Sequence, residues 1–265
     1  MRGHRVRRGG GLACLVSAVL LSSACTPQAG STTSAPTLTG SAHRSATSKP
    51  TTRPSATPRP TTHPSATPRP TSTGTALAAL SHLPVKGRAA LTGYTRLQFG
   101  RAWADTDHNG CDTRNDILRR DLHEIVLKPG THGCVVLTGI LRDPYDGSVV
   151  SFVRGVQTSR LVQIDHVVPL ANAWQTGAQQ LSPASRLLFA NDPLNLLAVS
   201  GYLNDQKGDG DAATWLPPDR GFWPAYVARQ IAVKAKYHLW VTAAEADAMT
   251  RVLLRAPGTL LPGGP

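Results

Sequence analysis

Apolar positions recur in two rhythms between residues 79 and 257. A 3.6-residue rhythm runs through DTRNDILRRDLHEIVL (112–127), where Leu118, Leu122, Ile125 and Val126 share one face and Thr113 with Asp116 reads as a capping box, predicting a helix. A second helix is predicted over FWPAYVARQIAVKAKYHL (222–239), with Pro224 suited to a first helical position and Trp223, Val227, Ile231 and Leu239 near one face. A third begins at Thr242 with Glu245 three residues on, and buries Met249, Val252 and Leu253. Between them the rhythm shortens. CVVLTGIL, the turn DPYDG and SVVSFVRG read as a hairpin; LVQID, ending in an Asp-His pair, and LNLLAVS read as two further strands. This order predicts an α+β domain without βαβ alternation. The glycines of KGDGD stand in the wrong context for a dinucleotide site.

Before residue 79 neither rhythm is present. Residues 26–78 are mainly Ser, Thr, Pro, Ala and Gly and contain a direct repeat, TTRPSATPRP (51–60) then TTHPSATPRP (61–70). Such a segment cannot bury a core. At about 3.1 Å per residue of polyproline II it reads as a disordered linker reaching on the order of 100 Å, a spacer in preference to a basic arm for DNA or anionic wall polymer. Ahead of it, Arg2, Arg5, Arg7 and Arg8 precede an apolar run from Leu12 to Leu21 and small residues ending at Cys25. Residues 1–25 therefore read as a signal peptide, too short in its apolar part for a span. The small residues resemble a lipobox, with Ser22 where Leu is usual, and Cys25 is the expected lipidation site. A tail is expected over 258–265.

Charge looks decisive and is not. The formal net charge is +12, yet the first 80 residues hold nine of the 28 Lys and Arg and no Asp or Glu, which leaves 19 bases against 16 acids for the rest. The basic balance belongs to the leader and linker, so composition alone assigns no nucleic-acid or membrane partner. Export changes how the cysteines are read: Cys14 leaves with the signal, Cys25 takes lipid, and Cys111 and Cys134 remain with 22 residues between them. An isolated pair in an oxidising compartment predicts one disulfide, and no C-x-x-C spacing supports a metal pair.

The chemistry-bearing segment runs from Gln163 to Asp211. Asp165-His166-Val167-Val168-Pro169 closes one strand, Asn195-Leu196 opens the next, and Asn204 with Lys207 follows. The ordered set resembles the HNH, or ββα-metal, endonuclease motif in the variant whose last His is Asn. With CDTRNDIL, DPYDG, NDPLNLLAV and KGDGDAATWLP around it, the stretch from about Tyr94 to Leu254 resembles exported bacterial HNH-family proteins related to the GmrSD-type nuclease domain. The resemblance implies a ββα-metal module over roughly 160–216, braced by flanking helices and the hairpin. It implies His166 as general base, Asn195 as the residue orienting it, and Asp165 and Asn204 as hard oxygen ligands suited to Mg²⁺ or Mn²⁺. Lys207 and Arg114 are candidate phosphate contacts, Arg114 from the first turn of a predicted helix.

Each residue has a plainer use: Asp165 as a helix cap near Pro169, His166 as an interior histidine, Asn195 and Asn204 as turn formers, Asp209 and Asp211 as loop or cap residues. The cysteines the family often carries near the penultimate helix and the C-terminus are absent together, Pro224 standing in the first region. The expected activity is metal-dependent hydrolysis of DNA, with RNA as a second substrate, by an exported and surface-tethered enzyme. The alternatives are a tethered module that binds DNA or wall polymer without cutting, and a hydrolase of small phosphate esters.

Overall fold

The computed structural model describes residues 74–263, so the expected signal peptide, the lipidation site Cys25 and the repeat-bearing part of the linker lie outside the described residues. The described residues begin inside the stretch read as linker and run into the expected tail. Helix α1 (Ala76–Leu80) is capped by Thr75, whose hydroxyl accepts the Ala78 amide, and the Ala76 amide donates to the Thr259 carbonyl at 2.8 Å. Thr75 also bridges Leu260, and Leu261 packs on the core. The two ends hold each other, a pairing that composition does not reveal.

The expected long helix at 112–127 divides. Helix α2 (Thr113–Asp121) is capped by Asp112, not Thr113: its carboxylate accepts the Asn115 amide at 2.8 Å. The chain then turns into strand β1 (Leu122–Leu127), antiparallel to β2 (Val136–Arg142), which pairs in turn with β3 (Val149–Val153). Leu122, Ile125 and Val126 fit a helical stripe, but a short apolar run is ambiguous, and here β2 offers the ladder. The irregular register from His123 to Leu127 accompanies a left-handed Glu124, φ +49°. The Cys111–Cys134 disulfide is present, its Cα atoms 5.2 Å apart, tying the approach to α2 to the approach to β2.

Strand β4 (Val162–His166) comes next, followed by helices α3 (Leu170–Gln175) and α4 (Pro183–Ala190), which the periodicity left unassigned. Strand β5 (Leu196–Ser200) returns antiparallel to β4 with His166 opposite Leu196 and Asp165 opposite Leu197. Helix α5 (Gly201–Lys207) leaves β5 directly. A Cβ on Gly201 would run into the Arg160 carbonyl oxygen, so glycine lets β5 enter α5 against the start of β4. Helices α6 (Trp223–Lys236) and α7 (Ala243–Leu253) match expectation, and Thr242 with Glu245 forms a capping box.

The β4–β5 pair sits among three apolar clusters. Val167, Leu197 and Val199 join α6 and α7; Val168 and Leu194 join α3, α4 and Phe99; Ile164, Leu196 and Ala198 join α2 and the three-stranded sheet. Burial on both faces explains why LNLLAVS reads as a continuous apolar run. Among the described residues no helix is long and apolar enough to cross a membrane.

Candidate active site

At the end of β4 two adjacent side chains leave in different directions. Asp165, 4% exposed, turns toward α5 and the β2–β3 turn. Its Oδ1 accepts the Lys207 ammonium at 2.9 Å, and its Oδ2 accepts the Tyr145 hydroxyl. His166 turns the other way, its Nε2 2.9 Å from the Ala190 carbonyl oxygen and its ring stacked on Trp103, centroids 6.2 Å apart and planes 17° off parallel. Both still line one cleft of about 510 Å³ because the strand stops there. Arg96, Trp103, Arg114, Gln163, Asn204 and Asp209 complete most of its wall.

A carbonyl oxygen only accepts, so Nε2 of His166 carries the proton and Nδ1 keeps the lone pair. Burial lowers the imidazole pKa to about 4, outweighing the Ala190 contact and the nearby Asp165 charge that pull it up, with Arg96 and Lys207 adding to the lowering. The ring is neutral at neutral pH. Asn195, fully buried, makes no hydrogen bond to the ring. Its side-chain oxygen accepts the Val168 amide at 2.8 Å, its Nδ2 donates to the Val168 carbonyl, and its own carbonyl accepts the Val167 amide at 2.8 Å. It thereby clamps the two residues that follow His166.

Asn204, on α5, donates through Nδ2 to Gln163 Oε1 at 2.7 Å, which leaves its amide oxygen without a donor among the described residues. Lys207 departs from the expected phosphate contact. It is 3% exposed, is not part of the cleft wall, and gives its ammonium to Asp165 and, at 2.9 Å, to the His166 carbonyl. Arg114 lines the cleft with part of its guanidinium given to the carbonyls of Val162 and Ser159, at 3.2 and 3.4 Å. Asp211 is turned away, paired with Arg88 at 2.6 Å.

Three residues of the site escaped the sequence reading. Tyr145 lies in the turn DPYDG, completely buried against Trp215, Phe222 and Tyr226. An aromatic among turn formers was the available signal, since a solvated turn has no use for one. Trp103 and Arg96 come from the approach to α2, about sixty to seventy residues before His166, Arg96 opening a short 3-10 turn, and no spacing marks them.

Among the described residues no three His, Cys, Asp or Glu side chains cluster in a metal-holding arrangement. A cation here would rest on Asp165 and the Asn204 amide oxygen, both hard donors on a cleft with room for water and phosphate oxygens. That is how Mg²⁺ is commonly held, through one or two protein oxygens plus waters and substrate. The donor set fits.

The fold and this cleft define an α+β domain with a buried carboxylate, a neutral imidazole and a free amide oxygen at the junction of a strand pair and a following helix. Residues 112–252 match the family described as GmrSD restriction endonucleases, C-terminal domain, and the chain belongs to that family. The match spans α2 to α7 and so contains Asp165, His166, Asn195, Asn204 and Lys207, but neither Arg96 nor Trp103. An "Uncharacterized secreted protein" of Arthroderma benhamiae is 38% identical over 184 residues, covering 69% of this chain and 85% of that protein. Because that relative is fungal, the likeness is not confined to bacterial proteins. No solved structure matches the chain.

Proposed function

We propose that the protein is an exported, divalent-metal-dependent endonuclease of the HNH, ββα-metal type that hydrolyses phosphodiester bonds of DNA, and of RNA as a second substrate, with little sequence preference. The carrying observation is that Asp165, His166 and Asn204 share one cleft whose wall also holds Arg96 and Arg114. Family membership supports nuclease chemistry, and the relative's name supports export. Lipid attachment at Cys25 and tethering by the linker extend that reading to the cell surface.

In this mechanism His166 Nδ1 accepts a proton from the attacking water while the Nε2–H bond to Ala190 holds the ring's tautomer. Trp103 stacks on the ring and limits its rotation. Asn195 fixes the segment after His166, so the imidazole's position is set by the fold. Asp165 and Asn204 would hold Mg²⁺ or Mn²⁺, which when bound supplies positive charge to the phosphoryl and leaving oxygens. Lys207 and Tyr145 orient Asp165, and Arg114 and Arg96 face the substrate phosphates.

The test is nicking of supercoiled plasmid by the full chain with EDTA, then with Mg²⁺ or Mn²⁺ restored, beside His166→Ala. Cutting that needs the metal and disappears in His166→Ala is expected. No nicking with either metal would leave a binding module as the better account, and undiminished cutting by His166→Ala would remove the base assignment.

A further inference from the structure

Beside the cleft lies a second cavity, of about 160 Å³, that shares Arg96, Trp103, His166 and Leu170 with it. Its inner wall adds Phe99 and Asn191. An apolar cavity of ~150 Å³ is large enough to take benzene, so this one has the volume of a flat six-membered ring. Three features say what kind of ring.

Asn191 is 1% exposed and donates its Nδ2 to the Leu187 carbonyl at 2.9 Å, yet its Oδ1, itself closed to solvent, has no hydrogen-bond partner among the described residues. A buried acceptor left unpaired calls for a donor from outside the chain. Trp103 holds its backbone at φ 56°, a conformation a bulky side chain rarely adopts, and so keeps its ring at the border of the two cavities. Arg96 and Arg101, exposed at the rim, form no ion pair among the described residues.

We propose that this pocket receives the nucleobase next to the scissile phosphate, best a pyrimidine whose exocyclic amino group meets Asn191 Oδ1 once that side chain turns toward the pocket, with the strand's phosphates on Arg96 and Arg101. The assignment rests on the nuclease reading and refines its substrate. A base can enter only when unstacked and unpaired, so the preferred substrate is single-stranded or locally open nucleic acid.

Calorimetric titration of the full chain with 2′-deoxycytidine 5′-monophosphate and with 2-deoxyribose 5-phosphate isolates the base, since both probes carry the same phosphate. At least roughly tenfold tighter binding of the nucleotide is expected, the scale of one base stacked on an aromatic wall. Ala102→Phe, which fills the pocket from its exposed rim, should erase that difference and reduce the preference for single-stranded over duplex oligonucleotides. Asn191→Leu should weaken the nucleotide several-fold and leave the sugar phosphate unchanged. Equal behaviour of the two probes, whether both bind or neither does, or a difference that survives Ala102→Phe, overturns the assignment. If plasmid is still nicked in that event, only the pocket falls; if no metal supports nicking, the nuclease reading falls with it.

Discussion

Lys207→Met tests whether the ion pair under the cleft is part of what holds the site. The ammonium is fully buried, 2.9 Å from Asp165 Oδ1 and 2.9 Å from the His166 carbonyl, while Asp165 is 4% exposed. Met preserves the stem's packing and removes the charge, leaving a carboxylate in the interior with the Tyr145 hydroxyl as its one donor among the described residues. Breaking a buried pair from one side costs about 3–5 kcal/mol, much of it the isolated partner's desolvation. For a domain of this size each kcal/mol moves the melting temperature by about 2–4 °C, so calorimetry should find a drop of roughly 6–20 °C. Asp165→Asn in the same background removes the stranded charge, so the double variant should lose less than the sum of the singles, by about 1–3 kcal/mol. A melting temperature within 2 °C of wild type for Lys207→Met, or strictly additive losses in the cycle, would refute the claim that these groups hold each other.

Tyr145→Phe keeps the aromatic packing and deletes the donor to Asp165 Oδ2; it should cost about 1–3 kcal/mol in a urea titration and reduce, not abolish, nicking. Unaltered stability and rate would show the hydroxyl to be idle. Asn204→Ala should raise the Mg²⁺ concentration for half-maximal cutting several-fold, and an unchanged metal titration would remove it as a ligand. Replacing Cys111 and Cys134 together by Ala should lower stability by about 3 kcal/mol, read as a fall in melting temperature of roughly 6–12 °C. A variant melting with the wild type would mean that the bridge constrains little.

Elements that carried their own signals were legible. The capping box at Thr242, Pro224 near the start of α6 and the turn between β2 and β3 are local chemistry, and each stands where the sequence predicts. Where two structures could satisfy the same apolar spacing, the neighbour decided: residues 122–127 became a strand because β2 lies alongside. Helices α3, α4 and α5, of six to eight residues, are too short for periodicity to declare them. The boundaries at Thr75 and Leu260 depend on each other across the whole domain, and no local window contains both.

The site shows the same division, with a consequence for how the protein would work. Asp165, His166, Asn195 and Asn204 fall within about forty residues and share a spacing that resembles a known motif, so they could be named from the sequence. Their supporting groups could not. Tyr145 arrives from the hairpin turn and Trp103 from the approach to α2, while Lys207 reverses its expected direction and points inward. Of the legible residues, Asp165, His166 and Asn204 would touch metal or water, while Asn195 and the hidden Tyr145 and Trp103 set where those groups sit. Tyr145 and Lys207 converge on Asp165 from separate elements, so its carboxylate is positioned and its charge partly balanced before any divalent cation binds. A metal at this site would share the carboxylate with Lys207, which favours modest affinity and ready exchange over permanent occupancy. The ammonium and the cation are then alternative stabilisers of one buried charge, and weakening the first should strengthen the demand for the second.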